Sequence, residues 1–541
     1  MRRSLGSLVF ASALSAGASA RSIWITQRDT GFPERISQYS DCLSTSYYGT
    51  YGQDLTHVFV SEPECLSTIQ PYLTESAHTS AVREAKEDEE HKMLFWLEEA
   101  LLDNAIRPAG IKSARESISD FVRRVNEEAG RNLAAGQVLV NDEESEVASI
   151  LYSTNTGALV SLSPSLLHEL DKILPQYINP TMLPTTPLPL MAEKTKHSAK
   201  YLNKVLSNLR FNPDISRLTS SLSLDKMQDN IRWLTGEDSK SPIISRHSFS
   251  PGARVAADWI QGKFEAAGGK CKQKPFLEGF SPNVVCRFKG TDNTTGLVIL
   301  SGHYDSRGSF GSVRAPGGDD DGSGVTHVLA IAQAISDNKI SFNTNVELVA
   351  FAGEEQGLLG SRAYAAELRQ VDANITLMIQ ADMLAYRDPS EPLQLGLPEF
   401  IGLPEAGYLV ANVSKIYAPE LTVGLSACCS DHQSFHEQGF PATQVFERAG
   451  PIIDPMYVSC LPVSLVYTTD NRPASSRYHN SGDLSERSGY DLGQVRSIAK
   501  VTVAGFSLPP QELRKMADSR FYSAKFSTRL GFKSIQAPSV A

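Results

Sequence analysis

Five short stretches of this chain gather side chains that can hold a cation or move a proton. "GHYDS" (302–306) carries His303 and Asp305, and "PGGDDDGSG" (316–324) sets Asp319, Asp320 and Asp321 in a row. "FAGEE" (351–355) ends on Glu354 and Glu355, and "QADM" (380–383) contains Asp382. "SRYHNSGD" (476–483) brings His479 and Asp483. Crowded carboxylates repel, and a buried charge without a partner is costly, so such a group calls for a balancing cation. Imidazole and carboxylate ligands suit zinc. Two histidines with several acids suit a pair of metals sharing a bridging carboxylate, about 3.5–4 Å apart in hydrolases. Of two adjacent glutamates, one can ligate while its neighbour takes a proton from activated water.

Each stretch also has an ordinary reading. "HYD" and "EE" are common in solvated turns. The aspartate triplet fits a surface turn, an N-cap for a helix from 322, or a calcium loop. The calcium reading leaves His303 and His479 without a role. What sets the stretches apart is their joint position. "GLVILSGHYDS" (296–306) opens on a short apolar run. "TNVELVAFAGEE" (344–355) and "ITLMIQADML" (375–384) read as strands. Helical patterns lie between or around them at 250–268, 322–337, 357–370 and 489–508. Strands alternating with helices predict an α/β structure with a mostly parallel central sheet. Sites in such sheets lie beyond the carboxyl ends of the strands, where His303, Glu354, Glu355 and Asp382 fall. Glycines 317, 318, 322 and 324 let the triplet loop fold tightly.

At about 150 residues per domain, 541 residues allow two to four domains. A net charge of −10, with no basic stripe and no phosphate loop, argues against nucleic acid as a partner. Residues 1–20 have Arg2 and Arg3, an apolar run, and small residues to Ala20, the layout of a secretory signal. No later run of about 20 apolar residues predicts a membrane span. The expected location is extracellular, or the lumen of a vacuole or another compartment. Asn293, Asn374 and Asn412 head glycosylation sequons. Seven cysteines are an odd number; Cys42 with Cys65 and Cys271 with Cys286 are candidate local pairs, leaving Cys428, Cys429 and Cys460. Residues 21–190 read as a propeptide or accessory domain, with the proline-rich "INPTMLPTTPLPLM" (178–191) as its boundary. Residues 191–214 read as a linker, 215–508 as the catalytic domain and 509–541 as a tail.

The ordered set "GHYDS", "PGGDDDGSG", "FAGEEQGLLGS", "QADM", "CSDHQSF" and "YHNSGD" resembles the secreted co-catalytic di-zinc aminopeptidases of the bacterial and fungal leucyl aminopeptidase type. The likeness covers about 215–508. It implies a phosphorylase/hydrolase-like zinc exopeptidase fold, a mixed, mostly parallel sheet flanked by helices. It also implies two zinc ions per chain. By resemblance His303, Asp320, Glu355, Asp382 and His479 are the metal ligands, with Asp320 bridging and the Asp320–Asp321 peptide cis. Asp305 is the acid that orients His303, and Glu354 the general base. The substrates implied are peptides or proteins with free N-termini, hydrolysed one residue at a time by a monomer. Ala427 stands where some relatives carry a tyrosine, and Leu425 where they carry a cysteine, so a hydroxyl near the oxyanion and a short disulfide are missing. Cys428 or Cys429 is left to pair with Cys460. Met383 and Phe446 are candidates for an apolar pocket, against simple core packing; His432 lines that pocket or supports its loop, and His247 and His436 are structural. The rivals are a dipeptidase, a carboxypeptidase or a glutaminyl cyclase on the same scaffold, or a non-catalytic binding ectodomain.

Overall fold

The computed structural model describes residues 22–506, except 30, 38–40, 53, 68–79, 85–91, 101–111, 135–145, 176–177, 189–191, 292–295, 309–312, 343, 400, 427–429 and 455–480. Its N-terminal part repeats one topology twice. The first unit runs β1 (Ser22–Gln27), α1 (Phe32–Ser37), α2 (Asp41–Ser44), β2 (Tyr47–Tyr51), β3 (Thr56–Ser61), α3 (Pro63–Ser67) and β4 (Ser80–Glu84). The second runs β5 (Met93–Glu99), α4 (Ala114–Ala134), β6 (Ala148–Ser153), β7 (Gly157–Leu162), a 3-10 turn, α5 (Leu170–Ile173) and β8 (Ile178–Met182). The sheet orders β2-β3-β1-β4 and β6-β7-β5-β8 are equivalent, and every pairing is antiparallel. Both units are therefore split βαβ modules.

Alternation along the strands stacks the modules. Ile23, Ile25, Val58, Trp96, Leu151 and Leu159 meet between the two sheets, while Trp24 and Phe59 face the first module's helices. Phe95, Leu97, Val160 and Leu162 face α4 through Ile118, Phe121 and Val125. The period of two thus feeds two cores from each sheet. A disulfide joins Cys42 to Cys65 in the first module.

The expected linker is not one. Residues 191–214 contain α6 (Ala192–Ser207) and the start of α7 (Pro213–Ser220), and Leu202 is buried in the main core. The proline-rich stretch that suggested a boundary begins as strand β8, with Pro180 paired to Leu97 only. An edge strand tolerates proline because one side of it needs no amide donor.

The catalytic part continues with α8 (Leu224–Leu234), α9 (Pro251–Ala266), β9 (Lys270–Lys274), β10 (Asn283–Phe288), β11 (Leu297–His303), α10 (Gly322–Asp337), β12 (Asn345–Phe351), α11 (Leu359–Gln370) and β13 (Ile375–Ala381). It ends with β14 (Gln394–Pro398), α12 (Pro404–Tyr417), β15 (Thr422–Ser426), α13 (His432–Glu437), β16 (Ala442–Val445) and α14 (Leu492–Phe506). The sheet order is β16-β13-β11-β12-β10-β9. The first four strands are parallel, and β10 and β9 extend the sheet antiparallel, clipped by Cys271–Cys286. Val298, Leu300, Leu348 and Ile379 face one core, while Ile299, Val349, Phe351 and Met378 face the other. Both faces being covered, these strands read as continuous apolar runs. Among the described residues no helix is long and apolar enough to cross a membrane.

Candidate metal centre

The parallel strands end almost level. His303 closes β11 opposite Phe351 of β12, and Ser301 pairs with Gln380, two residues before Asp382. Strand alternation and register thus bring His303, the 352–355 turn and Asp382 to one rim. α10 completes it. The buried Arg246 donates to the carbonyls of Tyr304 (2.8 Å), Leu234 (3.0 Å), Pro316 and Gly317 (2.8 Å), fixing the loop that leads to the triplet. Gly317 has φ +51°, and a Cβ there would lie 2.3 Å from the Asp320 carbonyl oxygen.

The three aspartates do three jobs. Asp321 caps α10 by accepting the Gly324 N–H at 2.8 Å, and its other oxygen accepts the His303 N–H at 3.0 Å. Asp319 accepts the Ala385 N–H at 2.8 Å and faces Arg487. Asp320 turns its carboxylate to the site, with Oδ1 3.2 Å from His303 Nε2. The Asp320–Asp321 peptide bond is cis. The capping and metal readings of the triplet are therefore compatible, one residue each.

His303 is the centre of the arrangement. Its Nε2 is buried, lies 3.7 Å from Asp382 and 3.9 Å from Glu354, and satisfies hydrogen-bond geometry with none of the three carboxylates. Its Nδ1 faces the Asp305 carbonyl at 3.2 Å and the Asp305 carboxylate at 3.5 Å. An N–H held on that side leaves the Nε2 lone pair for a cation. Donor atoms of His303, Asp320 and Asp382 all lie within 4.8 Å of one another, a set whose chemistry fits a divalent metal. Burial alone would lower the His303 imidazole, but Glu354 and Asp382 outweigh it and hold it well above its ordinary value. Burial pushes Asp320 up to about 6, against the pull of His303. Burial likewise holds Glu354 well above the carboxylate range, with Asp382 and Asp431 adding to it and His303 opposing. The cluster as a whole favours added positive charge.

Asp305 is fully buried and faces inward. It accepts the Ser248 hydroxyl at 3.0 Å and the N–H groups of Glu354 (3.4 Å) and Glu355 (3.3 Å). It shapes the glutamate turn as well as the imidazole. Glu355 is buried, with Arg307 at 3.8 Å. His479 lies outside the described residues, as do Ala427, Cys428, Cys429 and Cys460. Met383 and Phe446 are buried, and His432 is buried with Nε2 3.1 Å from the Ile401 carbonyl. Asp431 was missed from sequence, although "CSDHQSF" contains it. It is buried at the rim, accepts from Gln380 at 3.2 Å, and burial raises it to about 7.

Residues 283–504, which contain every one of these candidate ligands, match peptidase family M28. The chain carries a peptidase family M28 domain. It is a metallo-aminopeptidase with a mixed α/β fold. It is similar to leucine aminopeptidase 1 of Fusarium vanettenii, 26% identical over 308 residues, 53% of this chain and 72% of that protein. A probable leucine aminopeptidase of Arthroderma otae is 31% identical over 253 residues, 43% of this chain and 65% of that one. Among solved structures, LapB from Legionella pneumophila shares the fold with a TM-score of 0.50 at 16% identity, over 77% of this chain and 98% of that one.

Proposed function

We propose that this M28 domain is a secreted zinc aminopeptidase using two metals, with Glu354 as general base. The observation that carries the reading is His303 Nε2, buried among Asp320, Asp382 and Glu354 without a hydrogen bond. His303 and Asp382 would hold one ion, Glu355 and His479 the other, and Asp320 would bridge them. Ser481 donates to the Arg314 carbonyl at 2.6 Å, and Asp483 accepts from Asp319 and Asp320; His479, two residues before Ser481 in sequence, is kept in the set by the family resemblance. When bound, the two ions would supply Lewis acidity toward water and the scissile carbonyl.

The residues do the rest. Glu354, with its raised proton affinity, takes a proton from the attacking water and passes it to the leaving amine. Asp305 holds both the imidazole and the turn in place. The excess of carboxylates favours a cationic α-amine at the substrate end, which makes the enzyme act from free N-termini. Formed disulfides in both halves of the chain support an oxidising, extracellular or luminal compartment.

The test is residue release from unblocked peptides against N-acetylated copies, before chelation, after it, and with zinc restored. Release from free N-termini alone, lost on chelation and regained with zinc at two equivalents per chain, is expected. Restoration by one equivalent would overturn the two-metal reading. Peptides beginning with glutamine, in the same panel, separate hydrolysis from cyclisation.

A further inference from the structure

The N-terminal modules touch the M28 domain at the turn that carries Glu354 and Glu355. That turn has an unusual backbone. Gly353, Gly357 and Leu358 have φ of +72°, +112° and +63°. Such a run is not favoured by local preference and needs support from around it. Inside, Asp305 supplies that support. Outside, the second module does. The Met182 N–H, at the end of edge strand β8, donates to the Gly357 carbonyl at 3.4 Å. A Cβ on Gly357 would lie 3.0 Å from the Met182 nitrogen and 3.2 Å from the Phe95 ring. Gly357 in turn donates to the Glu354 carbonyl at 2.8 Å, so Phe95 and Met182 are one residue's contact away from Glu354.

The contact is apolar as well. Leu359 and Phe280 of the M28 domain are buried in the same cluster as Phe95, Leu97, Ile118 and Phe121 of the module. A second point lies on the first module. Arg362 of α11 pairs with Glu437 at 2.6 Å and lies close to the buried Tyr51 of β2. Detaching the modules would open a shared core and leave the outer side of the glutamate turn bare.

We infer that residues 22–188 stay on the M28 domain in the working enzyme and act as an outer clamp on the Glu354–Glu355 turn, with Phe95 as a positioning residue. This rests on the proposed role of Glu354. It separates the two readings of the N-terminal region: an accessory element is retained, and a removable pro-region is excluded.

The test uses the full chain with a protease site placed within 186–191. After cutting, the two fragments are expected to co-migrate on size exclusion and to keep the uncut rate. Fragments that separate while turnover holds or rises would overturn the clamp. In the uncut chain, Phe95→Ala is expected to lower kcat about tenfold or more at nearly constant KM and unchanged zinc content, with Phe95→Leu recovering most of it. If Phe95→Ala does not fold, Gly357→Ala is read in the same way. A loss of thermal stability with kcat unchanged in both variants would overturn the positioning role. An uncut, zinc-loaded wild type that releases no residue would instead sink the aminopeptidase reading, and co-migration of the cut chain would still decide whether the modules are retained.

Discussion

Both carboxylate oxygens of Asp483 accept the backbone N–H of Asp319, at 3.1 and 3.0 Å, across 164 residues of sequence. Asp483 also accepts from the Asp320 N–H and from Arg487 Nε, at 3.2 and 3.1 Å. Arg487 is the hub: its guanidinium also pairs with Asp454 and faces Asp319. Asp319, Asp454 and Asp483 are buried and the Arg487 side chain nearly so, beneath the cluster of candidate metal ligands. Replacing Arg487 by Met strands three buried carboxylates. It should cost about 3–5 kcal/mol in denaturant unfolding. A cost under about 1 kcal/mol would mean that the carboxylates are balanced in some other way.

Glu354→Gln keeps the shape of the turn and removes the proton acceptor. Its kcat should fall about 10²–10⁴-fold while zinc content, read by elemental analysis, stays at the wild-type level. Wild-type turnover would remove Glu354 from the role of base.

Asp305→Asn replaces one of two carboxylate oxygens by an amide donor facing N–H groups. It should weaken zinc affinity about 10–100-fold, measured by competition with a chelator, because both His303 and the Glu355 turn lose their orientation. Unchanged affinity would show that the imidazole is set by other groups.

His327 supplies a pH prediction away from the metals. It is buried in α10 with Nε2 2.6 Å from the Thr502 hydroxyl, and burial lowers it to about 3. The folded state keeps it neutral, whereas the unfolded chain takes up a proton below about pH 6.5. Its stabilising share is complete above that pH and is lost as pH falls toward 3, about 2 kcal/mol of it by pH 5. His327→Gln should lose correspondingly less stability between about pH 7 and pH 5. Parallel pH curves for the two proteins would contradict this.

The catalytic half was legible because buried parallel strands write their signal as short apolar runs with the chemistry at their ends. Each expected helix and strand from 250 to 508 is present within a few residues; His303, Glu354 and Asp382 meet beyond the strand ends, and the loop before α10 adds Asp320. The N-terminal half was not legible for a physical reason. Its strands are short and antiparallel, and each sheet feeds two cores, so apolar residues such as Trp24 and Ile25 occur side by side without a helix period. Pro180 on an edge strand mimics a linker. Asp431 was passed over because nothing local marks it; only the fold returns it to the rim beside Gln380.

The four tryptophans divide evenly between the N-terminal modules and the part that follows them. Trp24 and Trp96 are buried in the modules, whereas Trp233 and Trp259 stack in the catalytic part at 4.2 Å and 10°. Stacked indoles couple their electronic transitions and give a paired circular dichroism band of opposite signs, while isolated ones do not. The wild-type protein therefore carries its own two-colour label. Loss of the paired band follows the peptidase half, and a red shift of the emission that precedes or trails it follows the modules.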